Sequence, residues 1–170
     1  MTKNSARRPK IKYIHSDEGI LDEIKVLWEA LNEHHLQLSA NFKQYYCSMT
    51  FEKRKADLLK KVIGGKMRVD LAVDEASGQN VGYCVSSLDG EKKDEIESIF
   101  VNEAYRGLGI GDSLMKKALS WMDQKGAMAK IVEVGAGNEQ AFNFYARYGF
   151  LPRKTVLKQV RNDGATSSSL

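Results

Sequence analysis

Between Tyr105 and Leu114 the chain reads Y-R-G-L-G-I-G-D-S-L: three glycines alternate with two aliphatic residues. So dense a run of residues without a β-carbon suits a main chain that turns tightly or is closely approached by another molecule. Ahead of it, Ile96 to Val101 has the composition of a strand. Behind it, Leu114, Ala118, Trp121 and Met122 recur at helical spacing and Gly126 marks an end, which predicts a helix over 109–125. A helix that opens on such a loop presents unpaired N–H groups and the positive end of its dipole. That combination binds anions, most naturally phosphate, and Arg106 adds charge at the rim. A tight strand-to-helix turn that holds nothing would have the same composition.

Two nucleotide patterns do not fit. No Lys-Ser or Lys-Thr follows the glycines, as the ATP-type loop requires. The dinucleotide fingerprint needs a third glycine at 112 or 114, where Asp112 and Leu114 stand. Asp112 also sets a carboxylate beside a loop suited to phosphate, tolerable if its side chain turns to solvent.

The remaining elements are read from periodicity. Lys10 to His15 is a strand, and Ile20, Ile24, Leu27, Trp28 and Leu31 predict a helix over 18–35. Thr50 and Glu52 open another helix, with Leu58, Leu59, Val62 and Ile63 on one face and Gly64-Gly65 at its end. Strands follow at Val69 to Val73 and Val81 to Leu88, with turns at 74–80 and 89–93. After the glycine loop and its helix come a strand at Lys130 to Val134 and a short helix opening at Asn138. The inner face of that helix is Ala141, Phe144, Tyr145 and Tyr148, and a last strand is expected at Thr155 to Val160. The order β-α-α-β-β-β-α-β-α-β predicts an α/β (α+β) domain: a mixed, mostly antiparallel central sheet flanked by helices.

At 170 residues the chain fits one domain, expected over 10–161, between a basic arm (1–9) and a Ser-rich tail (162–170). Lys and Arg exceed Asp and Glu by 26 − 22 = 4, much of it in Lys3, Arg7, Arg8, Lys10 and Lys12. So small an excess reads as a solvated arm with no nucleic-acid partner, although it helps attract an anionic ligand. Cys47 and Cys84 have no disulfide or metal spacing, which suits a reducing compartment. With no secretory signal and no apolar run near the ~20 residues a membrane helix needs, the expectation is a soluble, cytoplasmic protein.

Two segments together resemble the GNAT superfamily of acyl-CoA-dependent N-acetyltransferases. The first is I-E-S-I-F-V-N-E-A-Y-R-G-L-G-I-G-D-S-L, in which Arg106 to Gly111 fits the loop pattern [RQ]-x-x-G-x-[GA]. The second is N-E-Q-A-F-N-F-Y-A-R-Y-G-F, with Asn138, Phe144-Tyr145 and Gly149-Phe150 at the pattern positions. The resemblance implies an acetyl-CoA site. Main-chain amides of Arg106, Gly107, Leu108, Gly109, Ile110, Gly111 and Asp112 would hold the pyrophosphate. The backbone of Ile99, Phe100 and Val101 would pair with the pantetheine arm, and the Val101 amide would polarise the thioester carbonyl.

An alkyl ammonium, with a pKa near ~10.4, must lose a proton before it can attack a thioester. Strand alternation places Glu95, Glu97 and Ile99 on one side. If that side faces the cleft, Glu97 is the preferred general base and Glu95 the second choice; both could instead solvate an exposed face. Tyr145 matches the family's tyrosine acid for the departing thiolate. Asn138 is expected to cap its helix through its side-chain oxygen and, by resemblance, to touch the coenzyme arm. His34 and His35 point about 100° apart on a helix, unlike a zinc pair, so no metal is expected. By resemblance, the segment from His34 to Tyr46 walls an acceptor pocket, with His35, Tyr45 and Tyr46 as lining candidates. The expected acceptor is a small-molecule or peptide amine, cationic in form, and a homodimer fits the family. A non-catalytic acyl-CoA sensor would share the fold and the loop.

Overall fold

The computed structural model describes residues 8–90 and 94–160. Residues 1–7 of the expected arm, Arg161 at the end of the expected domain, the expected tail (162–170), and Glu91 to Lys93 of the expected turn lie outside the described residues.

Five strands form one sheet in sequence order: β1 (Ile11–Ser16), β2 (Lys66–Asp74), β3 (Asn80–Leu88), β4 (Asp94–Val101) and β5 (Lys130–Val132). Consecutive pairs are antiparallel except the last, where β4 and β5 run parallel. That crossover is made by helix α4 (Ile110–Gln124). The other helices are α1 (Lys25–Leu38), α2 (Lys43–Ser48), α3 (Phe51–Val62) and α5 (Phe142–Ala146).

The sheet is covered on both faces. On one, Leu21, Ile24, Leu27, Trp28, Phe51 and Leu58 pack over Val69, Leu71, Tyr83 and Val85. On the other, Ile110, Leu114, Met115, Ala118 and Met122 of α4 pack over Ala72, Cys84 and Ile96. Strands buried on both sides read as near-continuous apolar runs, which is why β2 and β3 stand out in the sequence.

Several expectations change. The helix predicted over 18–35 is a 3₁₀ segment over Glu18–Ile24, itself kinked at Ile20 (φ −104°, ψ 15°), followed by α1. The Asp17 carboxylate accepts from the Gly19 N–H at 3.0 Å, a local bond that favours the tighter turn. Helix α2 was not foreseen. In α3 the apolar stripe runs through Phe51 and Leu58, while Leu59 and Ile63 are exposed. Thr155 to Val160 is not a strand, and Val156 and Leu157 are exposed. The sheet's last strand is three residues long, so it offers little ladder for a further one to join.

Candidate active site

The glycine loop is pinned from below and open above. Ile110 is buried and Leu108 packs against the same core, so the two aliphatic residues anchor the loop. Gly107 and Gly109 have φ of 76° and 79°, the left-handed region that favours glycine, and nothing lies within 4 Å of where a β-carbon would stand on either. Gly109 is the N-cap of α4. The Ser113 N–H bonds back to the Gly109 carbonyl, so the amides of Ile110, Gly111 and Asp112 have no intrahelical partner. The Asp112 carboxylate is taken up by Lys116 at 2.8 Å and by the Tyr148 hydroxyl, which donates to it at 2.5 Å. Those two bonds hold it below the usual carboxylate range. Arg106 donates from Nε to the Val101 carbonyl at 3.2 Å, with its guanidinium over the Phe100 ring.

Beside the loop lies an open strand edge. The β4–β5 ladder covers only Asp94–Ile96 against Lys130–Val132, yet β4 runs on to Val101. The Asn102 N–H bonds to the Val81 carbonyl, which fixes the antiparallel phase with β3. By alternation, Ser98 and Phe100 turn their main-chain groups toward β3, whereas Ile99 and Val101 turn theirs toward the open side. Of the three expected backbone contacts, Phe100 therefore faces its neighbour strand. The Val101 carbonyl is already bonded to Arg106, so Val101 offers its N–H. An edge that starts unpaired beside free helix N-terminal amides fits an extended ligand with a phosphate at one end.

The expected alignment of Glu95, Glu97 and Ile99 on one side is corrected by a β-bulge. Pairing with β3 shifts between Val85 and Ser86, leaving Glu97 as the extra residue. Ile99 packs with the α4 core, while Glu95 and Glu97 face α3. Glu97 is fully engaged there. Its Oε1 accepts from Lys61 Nζ and Ser87 Oγ, each at 2.6 Å, and its Oε2 from Arg54 at 3.1 Å; the side chain is 1% exposed. Arg54 also donates to the Glu97 carbonyl at 3.1 Å. Glu95 is freer. One oxygen meets Lys61 at 2.8 Å, and burial, offset by Lys61, raises its pKa above the ordinary value. Burial lowers Lys61, but its bonds to Glu95 and Glu97 outweigh that and keep the ammonium above its usual value.

Tyr145, on α5, packs into the α4 core between Phe144 and Phe150. Its hydroxyl makes no hydrogen bond among the described residues, and burial pushes its pKa up to about 12, so it stays a phenol. The neighbouring Cys84 thiol raises it further, and Tyr145 in turn helps burial raise Tyr83. Asn138 stands at the helix start but its side chain caps nothing: the Ala141 N–H bonds to its main-chain carbonyl instead, and the Gly137 N–H takes the Glu139 carboxylate. The expected cap through the Asn138 side-chain oxygen is thus not formed.

The three residues expected to line an acceptor pocket lie together. His35 stacks on Tyr46 at 5.6 Å and Tyr45 meets Tyr46 edge-on. His35 and Tyr46 reach the loop after β5, where a β-carbon on Gly135 would stand 2.7 Å from the Tyr46 hydroxyl and 3.8 Å from His35 Nδ1. Burial and His34 lower the pKa of His35, favouring neutral imidazole. Among the described residues no group of three or more His, Cys, Asp or Glu could hold a metal.

Arg54, Lys61 and Ser87 went unnoticed in the sequence. The signal for the two cations is faint but physical: they sit three and ten residues after Phe51, on the stripe that Phe51 and Leu58 bury, where a solvated lysine or arginine does not belong.

A family model described as the acetyltransferase (GNAT) family matches residues 31–150. An uncharacterised N-acetyltransferase of Methanocaldococcus jannaschii is 33% identical over 95 residues, 52% of this chain and 42% of that protein. An N-alpha-acetyltransferase of Sulfurisphaera tokodaii is 33% identical over 104 residues, 54% of this chain and 62% of that protein. The chain spans about half the length of these relatives. An aminoglycoside N-acetyltransferase solved in complex with CoA superposes with a TM-score of 0.64 over 92% of this chain and 98% of its own, at 16% identity, a likeness of fold.

Proposed function

The chain belongs to the acetyltransferase (GNAT) family, and on that premise we propose that it transfers an acetyl group from acetyl-CoA to a primary amine by direct attack in a ternary complex. Acetyl-CoA supplies the activated carbonyl. The amides from Gly107 to Asp112 hold its diphosphate, and the outward main chain of Ile99 and Val101 aligns its arm. The Val101 N–H is the donor for the thioester oxygen.

The sequence ranks Glu97 first as base, but its carboxylate is saturated by two cations and a hydroxyl. We assign the proton to Glu95, directly or through water, because it keeps a free oxygen and a raised pKa. Glu97 instead fixes Arg54 and Lys61 in place. Tyr145, a phenol without a hydrogen-bond partner, attends the departing thiolate. A peptide α-amine ranks first as acceptor, because a 33% identical relative is named an N-alpha-acetyltransferase while the aminoglycoside enzyme shares the fold alone. An α-amine, with a pKa of about 7.7–8.0, also asks less of the base than a lysine-like amine.

No helix among the described residues is long and apolar enough to cross a membrane. Cys47 and Cys84 are free thiols, which fits a cytoplasmic setting. The family resemblance is the support for a homodimer.

The observation that carries this proposal is the open edge of Ile99 and Val101 abutting the free amides of α4. Thiol release from acetyl-CoA should be measured with a peptide α-amine, a polyamine and an aminoglycoside. Release with the peptide is the expected result. If no amine releases CoA although acetyl-CoA raises the Tm, the chain is a sensor; if neither happens, the coenzyme site is wrong.

A further inference from the structure

We infer that Arg8, the last arginine of the basic N-terminal segment, is a phosphate-binding residue of the coenzyme site. Its guanidinium donates to the Leu108 carbonyl at 3.1 Å, one hundred positions along the chain. Leu108 stands between Gly107 and Gly109, the two left-handed glycines of the loop. The contact is held from the other side as well. Pro9 restricts Arg8 to extended backbone, and β1 begins at Ile11 in register with Asp74, so the segment leaves the sheet in a fixed direction.

The charge on Arg8 is not spent. Its partner is a neutral carbonyl, and it makes no ion pair among the described residues. A guanidinium carries five N–H groups in a planar fork, so the others remain available to a second acceptor. The carboxylate that follows the glycine loop, Asp112, is bound by Lys116 and Tyr148. Arg106 likewise docks through a neutral carbonyl, that of Val101. Two arginines without counter-ions among the described residues therefore meet the same glycine loop, one through the strand end and one through the loop itself. Such an arrangement matches a ligand with more than one phosphate, and charge-assisted N–H···O bonds to phosphate are the strong kind.

The inference rests on the coenzyme reading above. Its test is calorimetric titration of the full chain with CoA and with dephospho-CoA, for the wild type, Arg8→Ala and Arg8→Lys. Arg8→Ala should weaken CoA binding about 5- to 20-fold, between an exposed ion pair and a charge-assisted bond, with partial recovery in Arg8→Lys. The KM for acetyl-CoA should rise by a similar factor, and the salt dependence of binding should flatten. An equal loss with dephospho-CoA assigns Arg8 to the diphosphate; a loss confined to CoA assigns it to the 3′-phosphate. Either supports the inference. Wild-type affinity in Arg8→Ala overturns it while leaving the coenzyme site standing, whereas a wild type that binds no CoA overturns both. Because Arg8 is exposed, the apo Tm should match the wild type, which separates lost contact from lost fold.

Discussion

Two glutamates two residues apart end in different electrostatic states. Glu97 is buried against Lys61, Arg54 and Ser87, whereas Glu95 shares only Lys61 and lies under the influence of Glu97 and Glu133. Glu95→Gln should lower kcat about 10²–10⁴-fold, the usual contribution of a positioned base. In the wild type the acidic limb of kcat/KM should sit above the ordinary carboxylate value, since burial keeps Glu95 protonated to higher pH. Glu97→Gln removes a negative neighbour and frees Lys61 for Glu95, so the same limb should move to lower pH; a limb that stays put in both variants removes Glu95 from the chemistry. The linked effect on stability has a definite sign. Folding raises the Glu95 pKa, so its share of stability is present below the unfolded value and is lost as pH rises through the folded one. Tyr145 brings no alkaline limb below about 12.

At the scale of elements, the glycine loop was legible and the bulge was not. Gly107 and Gly109 need left-handed backbone, a local demand written into residue type, and the helix behind them declares itself by period. Gly109→Val forces a β-branched residue to φ near 79° and sets a side chain over the α4 amides. We expect CoA affinity to fall at least about 100-fold, the cost of a lost oxyanion-type or phosphate donor set, with helical circular dichroism retained; unchanged affinity would clear the loop of any role. The extra residue at Glu97 left no local trace. Its place shows only in the pairing of β4 with β3, so alternation counted along β4 alone put Ile99 on the wrong face. The partners of Glu97 come from α3, more than thirty positions away, and only an anomalous charge in an apolar stripe hints at them.

Across the whole molecule, burial divides the chain sharply. Leu114 is completely enclosed between α4 and the sheet, while Leu157 is 92% exposed in the extended segment that follows α5. Leu114→Ala should cost about 2–5 kcal/mol in urea denaturation, and Leu157→Ala should stay within about 0.5 kcal/mol. A large loss at Leu157 would mean that this segment packs in solution. The mixed, mostly antiparallel sheet with helices on its faces was readable because β2, β3 and α4 carry dense apolar patterns. The final strand was misread because Thr155 to Val160 has the composition of a strand but no neighbour to complete it. Finally, β4 and β5 are fastened along three residues and separate beyond them, like the jaws of a pair of tongs riveted at one end. The rivet sets how wide the jaws stand. A substitution at Lys130, which clasps Asp123 at the back of that joint, would therefore be felt as leverage at the tips by a residue that touches neither reactant.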